Sequence, residues 1–303
     1  MTTSHLSPTP ASASALLGGA VDYAGLFPPA ALVMGQAVAE YAAALDGPDA
    51  WMLGRFVVPA GRLPELAKER AALNRPSSEW RLSALVAGES DADLAAIAAF
   101  NRAAERQAVV DAIECKPTHL AGIDWLAEHV ATSCAAFVEI PATEDVAIWM
   151  TRLAARRLGA KIRTGGVTAA AFPEASAIAA FLQAAVRAGV RVKATAGLHH
   201  AVRGAYRLTY DANAPTAFMY GYLNVLLATA ALQSGGPAAV AEQVLLLADP
   251  ASLTFTDDAV RWGDHEFPTA LLHATRAERL AGFGSCSFRE PAEELRSLVL
   301  LHP

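Results

Sequence analysis

Eight short apolar runs alternate with longer segments of helical period along a chain of 303 residues. The first seven recur about every 24 to 33 residues, the size of a βα unit. The total length lies a little above the ~250 residues of a sheet closed by eight such units. Together these observations predict an α/β chain, a (β/α)8 TIM barrel with a helical insert between strands 7 and 8.

Residues 1–17, Ser-, Thr- and Pro-rich at the start, read as a disordered tail, and 18–303 as one barrel domain. The first strand is expected over 20–24, around Val21-Asp22-Tyr23, with a helix over 31–45 behind it. The second, over 53–59, is an apolar run closed by Pro59, and the following helix, 64–73, opens on Pro64, which suits a first helical turn. A strand over 81–87 leads to a helix over 91–107 that opens on Asp91, where the helix dipole favours an acid. Val109, Val110 and Ile113 mark the fourth strand, 109–115, and 120–132 its helix. The fifth strand spans 135–141, and its helix, 144–157, opens on Glu144. The sixth strand is 159–163 with a helix over 174–188, and the seventh is 190–194. The stretch 198–280 then intervenes before the eighth strand, 283–287. Helical character over 218–233, 237–247 and 269–280, with Gly235-Gly236-Pro237 as a linker, makes this stretch the insert.

Composition narrows the partners. A formal charge of -6 with only 18% charged residues cannot build a basic surface for nucleic acid, and 53% hydrophobic residues exclude a disordered chain. The longest apolar stretch, 218–232, is interrupted by Asn224 and falls short of the ~20 residues that span a bilayer, and the start has no leader-like pattern. No membrane partner is expected. Cys115, Cys134 and Cys286 are odd in number and widely spaced, which suits neither a disulfide framework nor a metal motif and fits a reducing, cytoplasmic compartment. Of 24 basic residues only four are lysines: Lys68, Lys116, Lys161 and Lys193. Arginine stays protonated in proteins, whereas a lysine amine can be made neutral and nucleophilic, so retained lysines point to amine chemistry.

Strand parity tests that idea, because alternate residues of a barrel strand face the lumen. With Ala160 and Ile162 facing the helices, Lys161 and Arg163 face inward. With Val190, Val192 and Ala194 outward, Arg191, Lys193 and Thr195 face inward. With Ala136, Val138 and Ile140 outward, Phe137 and Glu139 face inward. Glu139, Lys161, Arg163 and Lys193 therefore share one wall, where a barrel used only for packing would carry Val, Ile or Leu. Two neighbouring ammonium groups lower each other's pKa and a carboxylate moves protons, which is the equipment of Schiff-base chemistry. In the fourth strand Asp111 and Glu114 differ in parity, so only one faces the lumen unless a bulge intervenes. Lys116 shares the parity of Glu114 and sits just beyond the strand, where it suits an ion pair with Glu114 at least as well as a catalytic role.

In order along the chain, these motifs resemble the class I aldolases of the deoxyribose-phosphate aldolase type. Val21-Asp22-Tyr23-Ala24-Gly25-Leu26 with Pro28 resembles the opening strand of that family, Phe56-Val57-Val58-Pro59 its second, and Val110-Asp111-Ala112-Ile113 the strand with its proton-relay aspartate. Phe137-Val138-Glu139 is similar to its fifth strand, and Lys161-Ile162-Arg163-Thr164-Gly165 to the strand whose lysine forms the imine. Lys193-Ala194-Thr195-Ala196-Gly197-Leu198 resembles the strand of its second lysine, and Gly284-Ser285-Cys286-Ser287 its phosphate-binding eighth strand. The resemblance implies Lys161 as the Schiff-base lysine, Lys193 as the lysine that tunes it and Asp111 as the acid/base partner. It also implies Asp22, Thr164, Gly165 and Ser287 in the site, and backbone amides near Gly197, Gly284 and Ser285 as a phosphate cradle.

Arg163 and the pair His199-His200 depart from the family pattern and suggest a further anionic group on the substrate. The pair is too short a motif for a metal site. The expectation is therefore a cofactor-free lyase that makes or breaks a C–C bond in a small phosphorylated or otherwise anionic carbonyl compound; a homo-oligomer is compatible with the chain. Two other readings stay open: a barrel that binds a phosphate or phosphoribosyl substrate and transfers it without an imine, and a non-catalytic ligand-binding barrel.

Overall fold

A computed structural model describes residues 9–73, 79–103, 107–141 and 144–301. The strands, in chain order, are β1 (Val21–Tyr23), β2 (Leu53–Pro59), β3 (Trp80–Val86), β4 (Ala108–Cys115), β5 (Ala135–Glu139), β6 (Gly159–Arg163), β7 (Val192–Thr195), β8 (Gly204–Arg207), β9 (Thr216–Met219), β10 (Leu253–Phe255), β11 (Ala259–Trp262), β12 (His265–Pro268) and β13 (Leu280–Ser285). The helices are α1 (Ala11–Leu17), α2 (Met34–Leu45), α3 (Leu63–Ala72), α4 (Asp91–Ala103), α5 (Ala121–His129), α6 (Val146–Arg156), α7 (Ala175–Ala188), α8 (Tyr222–Gln233), α9 (Ala238–Leu246), α10 (Thr269–Glu278) and α11 (Arg289–Leu301). Eight strands close into one parallel barrel in the order β1-β13-β7-β6-β5-β4-β3-β2. The chain is a TIM barrel, and β13 is its eighth strand.

The core forms between barrel and helices, as the apolar parity of the strands requires. Phe56 and Trp80 face outward into an aromatic cluster with Tyr23 and Tyr41 of α2; the Tyr41 and Trp80 ring centroids lie 4.8 Å apart. Outward Phe283 stacks on Tyr222 at 4.8 Å, with the rings 6° apart, which turns Gly284 toward the lumen. The α7 stretch is apolar enough by composition to resemble a membrane span. In the fold it is a ring helix that buries Ile178, Ala179, Leu182 and Ala185.

Two expectations are corrected. Part of the segment read as tail, Ala11–Leu17, is a helix with Ala13, Leu16 and Leu17 fully buried. Its start is held by Asp257 Oδ1, which accepts the Ala11 N–H at 2.9 Å. The insert carries the three expected helices, and also a β8-β9 hairpin and an antiparallel β10-β11-β12 sheet. Its α8 is buried on every side, from Tyr222 to Leu232. Asn224 ties the insert together: its Oδ1 accepts the N–H groups of Arg203 and Gly221, and its Nδ2 donates to Val244 O and Leu247 O. The insert thus thickens the outer layer beside β7 and β13.

β13 starts with a register shift against β7 between Leu280 and Gly282. Gly282 has φ +140°, and a Cβ there would stand 2.4 Å from the Ala20 carbonyl oxygen. That backbone conformation is open essentially to glycine alone. Gly282→Ala is expected to cost about 3 kcal/mol or more, read as a lower urea midpoint with an unchanged m-value. An unchanged midpoint would contradict the closure described here.

Candidate active site

The lumen carries charge in layers. Register pairs Glu139 with Lys161 across β5 and β6, and Lys161 with Lys193 across β6 and β7. The inward parity read from the sequence therefore places all three side chains together. Lys193 is 1% exposed and Lys161 7%.

The group that joins the two lysines is Glu114. Its Oε1 accepts from Lys193 Nζ at 2.6 Å, and its Oε2 lies 2.8 Å from Lys161 Nζ. Ser83 Oγ donates to the same Oε1 at 2.8 Å. Lys193 is also bonded to Asp22 Oδ2, while Asp22 Oδ1 accepts the Arg55 N–H at 2.6 Å. Gly54 makes room for this carboxylate, since a Cβ there would meet Asp22 Oδ1 at 2.3 Å. On the other side Lys161 Nζ lies 3.2 Å from Glu139 Oε2, and Lys116 reaches Glu139 Oε1 at 3.1 Å from the rim. Asp22, Glu114 and Glu139 thus face Lys193, Lys161 and Lys116 in a charge-balanced chain.

Asp111 occupies a different layer. The β3-β4 register jumps from Leu82↔Val110 to Ser83↔Ala112, a bulge at Asp111 that lets both Asp111 and Glu114 point inward. The shorter-range partners of Asp111 are Arg55, whose Nε donates at 2.6 Å, and Arg81, whose Nη2 donates at 2.5 Å. Glu114, not Asp111, stands between the lysines.

Burial alone would push the Glu114 carboxyl up, but Lys193 and Lys161 outweigh it and hold it well below the usual range. The same competition lowers Glu139, with Lys161 and Lys116 prevailing over burial. Burial pulls Lys193 down, and Asp22 and Glu114 more than reverse this, so its pKa is raised. The mutual lowering expected from two neighbouring ammonium groups is thus reversed at Lys193 by the carboxylates around it.

These directions fix a pH dependence. Groups with depressed folded pKa values, Glu114 and Glu139, stabilise the fold above the ordinary glutamate pKa of about 4.3, and this is lost as pH falls. Lys193, with a raised folded pKa, stabilises below the ordinary lysine value of about 10.4 and ceases to do so as pH climbs through its folded value. Urea midpoints should therefore form a plateau from about pH 5 to 10 and drop on both sides. A midpoint still rising from pH 5 toward pH 3 would contradict the ion-pair chain.

Above the lysines a cavity of about 240 Å³ opens at the C-terminal face, where barrels carry their sites. Lys161, Lys193 and Glu114 form its floor, and Arg163, Gly197, His199 and Gly284 belong to its wall. His199 Nδ1 is 3.3 Å from Ser285 Oγ and 3.5 Å from Cys286 Sγ. Burial, aided by His200, lowers its pKa to about 4, so the ring is neutral at pH 7.

The other expected site residues are engaged elsewhere. Thr164 Oγ1 donates to Ala196 O at 2.8 Å and ties β6 to β7. Gly165 packs against Phe172, which a Cβ would meet at 2.3 Å. His200 Nδ1 faces Glu294 Oε1 at 2.6 Å, and its ring stacks on Tyr206. Ser287 Oγ accepts the Glu290 N–H at 3.2 Å near the start of α11. These residues shape or brace the rim. Ser83 was not anticipated: a lone serine inside an apolar strand carries no signal until its neighbours across the lumen are known.

The chain matches no family model and no curated protein.

Proposed function

We propose that the barrel is a Schiff-base lyase acting on a small anionic carbonyl compound, with Lys161 as the nucleophile. The observation that carries this reading is a lysine amine on the floor of an open cavity with two carboxylates at hydrogen-bond distance, beside a second lysine that is fully buried. Lys193, clasped by Asp22 and Glu114, acts as a fixed positive charge and not as a second nucleophile. Lys161 hands its proton to Glu139 or Glu114 and attacks the substrate carbonyl. The carbinolamine formed then loses water to give the protonated imine, with the carboxylic acid giving its proton to the departing hydroxyl. This iminium draws in the electron pair of the Cα–Cβ bond while a carboxylate takes the β-hydroxyl proton, so an aldehyde leaves and an enamine remains. The acid then protonates the enamine at carbon, and water hydrolyses the resulting iminium to release the carbonyl product and free Lys161. Arg163 and the glycines of the rim favour a substrate with a phosphate or carboxylate at its far end. Three free thiols suit a reducing, cytoplasmic setting.

The complete pairing of both lysines with carboxylates also favours a second reading, in which the amines bind an anionic substrate electrostatically and transfer proceeds without an imine. Borohydride reduction in the presence of small aldehydes and ketones, followed by peptide mass mapping, separates the two. A reduced adduct on Lys161 supports the first, and none across a broad panel supports the second.

A further inference from the structure

The opposite, N-terminal face of the barrel gathers more arginines than acids. Here Arg55, Arg81 and Arg191 turn inward from β2, β3 and the start of β7, and Asp111 is the carboxylate that pairs with the first two. Arg191 Nη2 approaches the Arg276 carbonyl at 3.4 Å, and Arg276 spends its own donors on Leu280 O and Gly18 O. Among the described residues no carboxylate lies within ion-pair distance of Arg157, Arg191 or Arg276. The Nε atoms of Arg276 and Arg279 are buried without a hydrogen-bond partner. The guanidinium groups also act on one another: after burial, the charge of Arg55 is what lowers Arg191.

Between the loops that lead into β5, β6, β7 and β13 three of these arginines border a cavity of about 660 Å³, larger than the one at the opposite mouth. Arg157, Arg191 and Arg279 line it, with Glu278 as its acid. Glu278 is already engaged by Gln233 at 3.0 Å and by Arg279 at 3.6 Å. Arg157 and Arg191 reach solvent in this cavity, and Arg279 is half-buried with its Nε unpartnered; bidentate contact with an oxyanion would satisfy guanidinium donors gathered this way.

We propose that this N-terminal cavity is a second binding site, taking a small multivalent phosphate-class anion between Arg157, Arg191 and Arg279. It is separate from the lysine cavity and does not depend on imine chemistry. The anion would stabilise the fold by mass action, so the barrel would be most stable when such an anion is present. Free pyrophosphate and a phosphorylated metabolite share the chemistry required.

Calorimetric titration of the full chain with pyrophosphate, and separately with ribose 5-phosphate, tests this and distinguishes the two sources. Because the lysine cavity also carries Arg163, each titration is run on the wild-type chain and on the variants Arg191→Gln, Arg157→Gln and Arg163→Gln. The expected result is pyrophosphate binding weakened roughly tenfold or more in Arg191→Gln, the scale of one lost charge-assisted hydrogen bond, with Arg163→Gln close to wild type. Arg157 sits exposed on the rim and supplies the same readout if the Arg191 variant does not fold. No binding in the wild type, or binding abolished by Arg163→Gln and untouched by both N-terminal variants, overturns the proposal. Borohydride trapping at Lys161 is expected to be the same in Arg191→Gln as in the wild type, so failure here and failure of the lyase reading appear in different measurements.

Discussion

Lys161→Arg is expected to keep the charge between Glu114 and Glu139 and to lose the chemistry. Arginine can satisfy both carboxylates, which stand 2.8 and 3.2 Å from the lysine nitrogen, so the fold should persist with a near-native urea midpoint. It cannot become a neutral amine in a protein, so no imine forms. Any α-deuterium exchange that the wild-type chain catalyses on a small ketone should fall on the order of 10³-fold or more, as when a covalent nucleophile is deleted. The borohydride adduct should vanish with it. A variant that keeps most of its exchange would favour electrostatic binding over covalent catalysis.

Glu114→Gln carries the largest expected effect on stability. Among the described residues Glu114 is the one carboxylate that touches both Lys161 and Lys193. Its neutral amide would leave Lys193 with Asp22 alone and Lys161 with Glu139 alone, in an interior where a buried charge stripped of its partner typically costs 3–5 kcal/mol. An unfolding midpoint lowered by that amount, measured by urea at pH 7, is the predicted result. Ser83→Ala serves as the comparison: it removes one neutral donor from the same Oε1 and should cost about 1 kcal/mol. Equal effects from the two substitutions would mean that Glu114 is held as a hydrogen-bond acceptor and not as a charge.

The barrel was legible because its signals are local. Each strand and its helix differ in period, and the inward parity of Glu139, Lys161 and Lys193 follows from their apolar neighbours without any knowledge of the partner strand. What escaped depends on contacts between distant segments. The bulge at Asp111 is defined by the register of β4 against β3, so the choice between Asp111 and Glu114 could be posed from the sequence but not answered. Ala11–Leu17 is a short helix in a Ser- and Pro-rich context, made stable by packing its buried face on the domain rather than by propensity. The strands of the insert are three or four residues long, too short for alternation to register. One of them did leave a mark: Gly263-Asp264 between β11 and β12, with Gly263 at φ +56°, is a two-residue hairpin turn of a type readable from sequence.

Strand parity picked out the lysines of β6 and β7, and the geometry adds what parity does not contain. A single glutamate couples the two amines, and the expected acid, Asp111, pairs with two arginines one layer below. Proton transfer in the proposed reaction therefore belongs to Glu114 and Glu139.

Imine formation is tested most directly by mass spectrometry of the intact and digested chain after borohydride reduction with short aldehydes and ketones at pH 7. One added substrate skeleton per chain, located on Lys161, is the expected result. An adduct confined to Lys193 or to surface amines, or a chain left unmodified by every carbonyl compound tried, would contradict it.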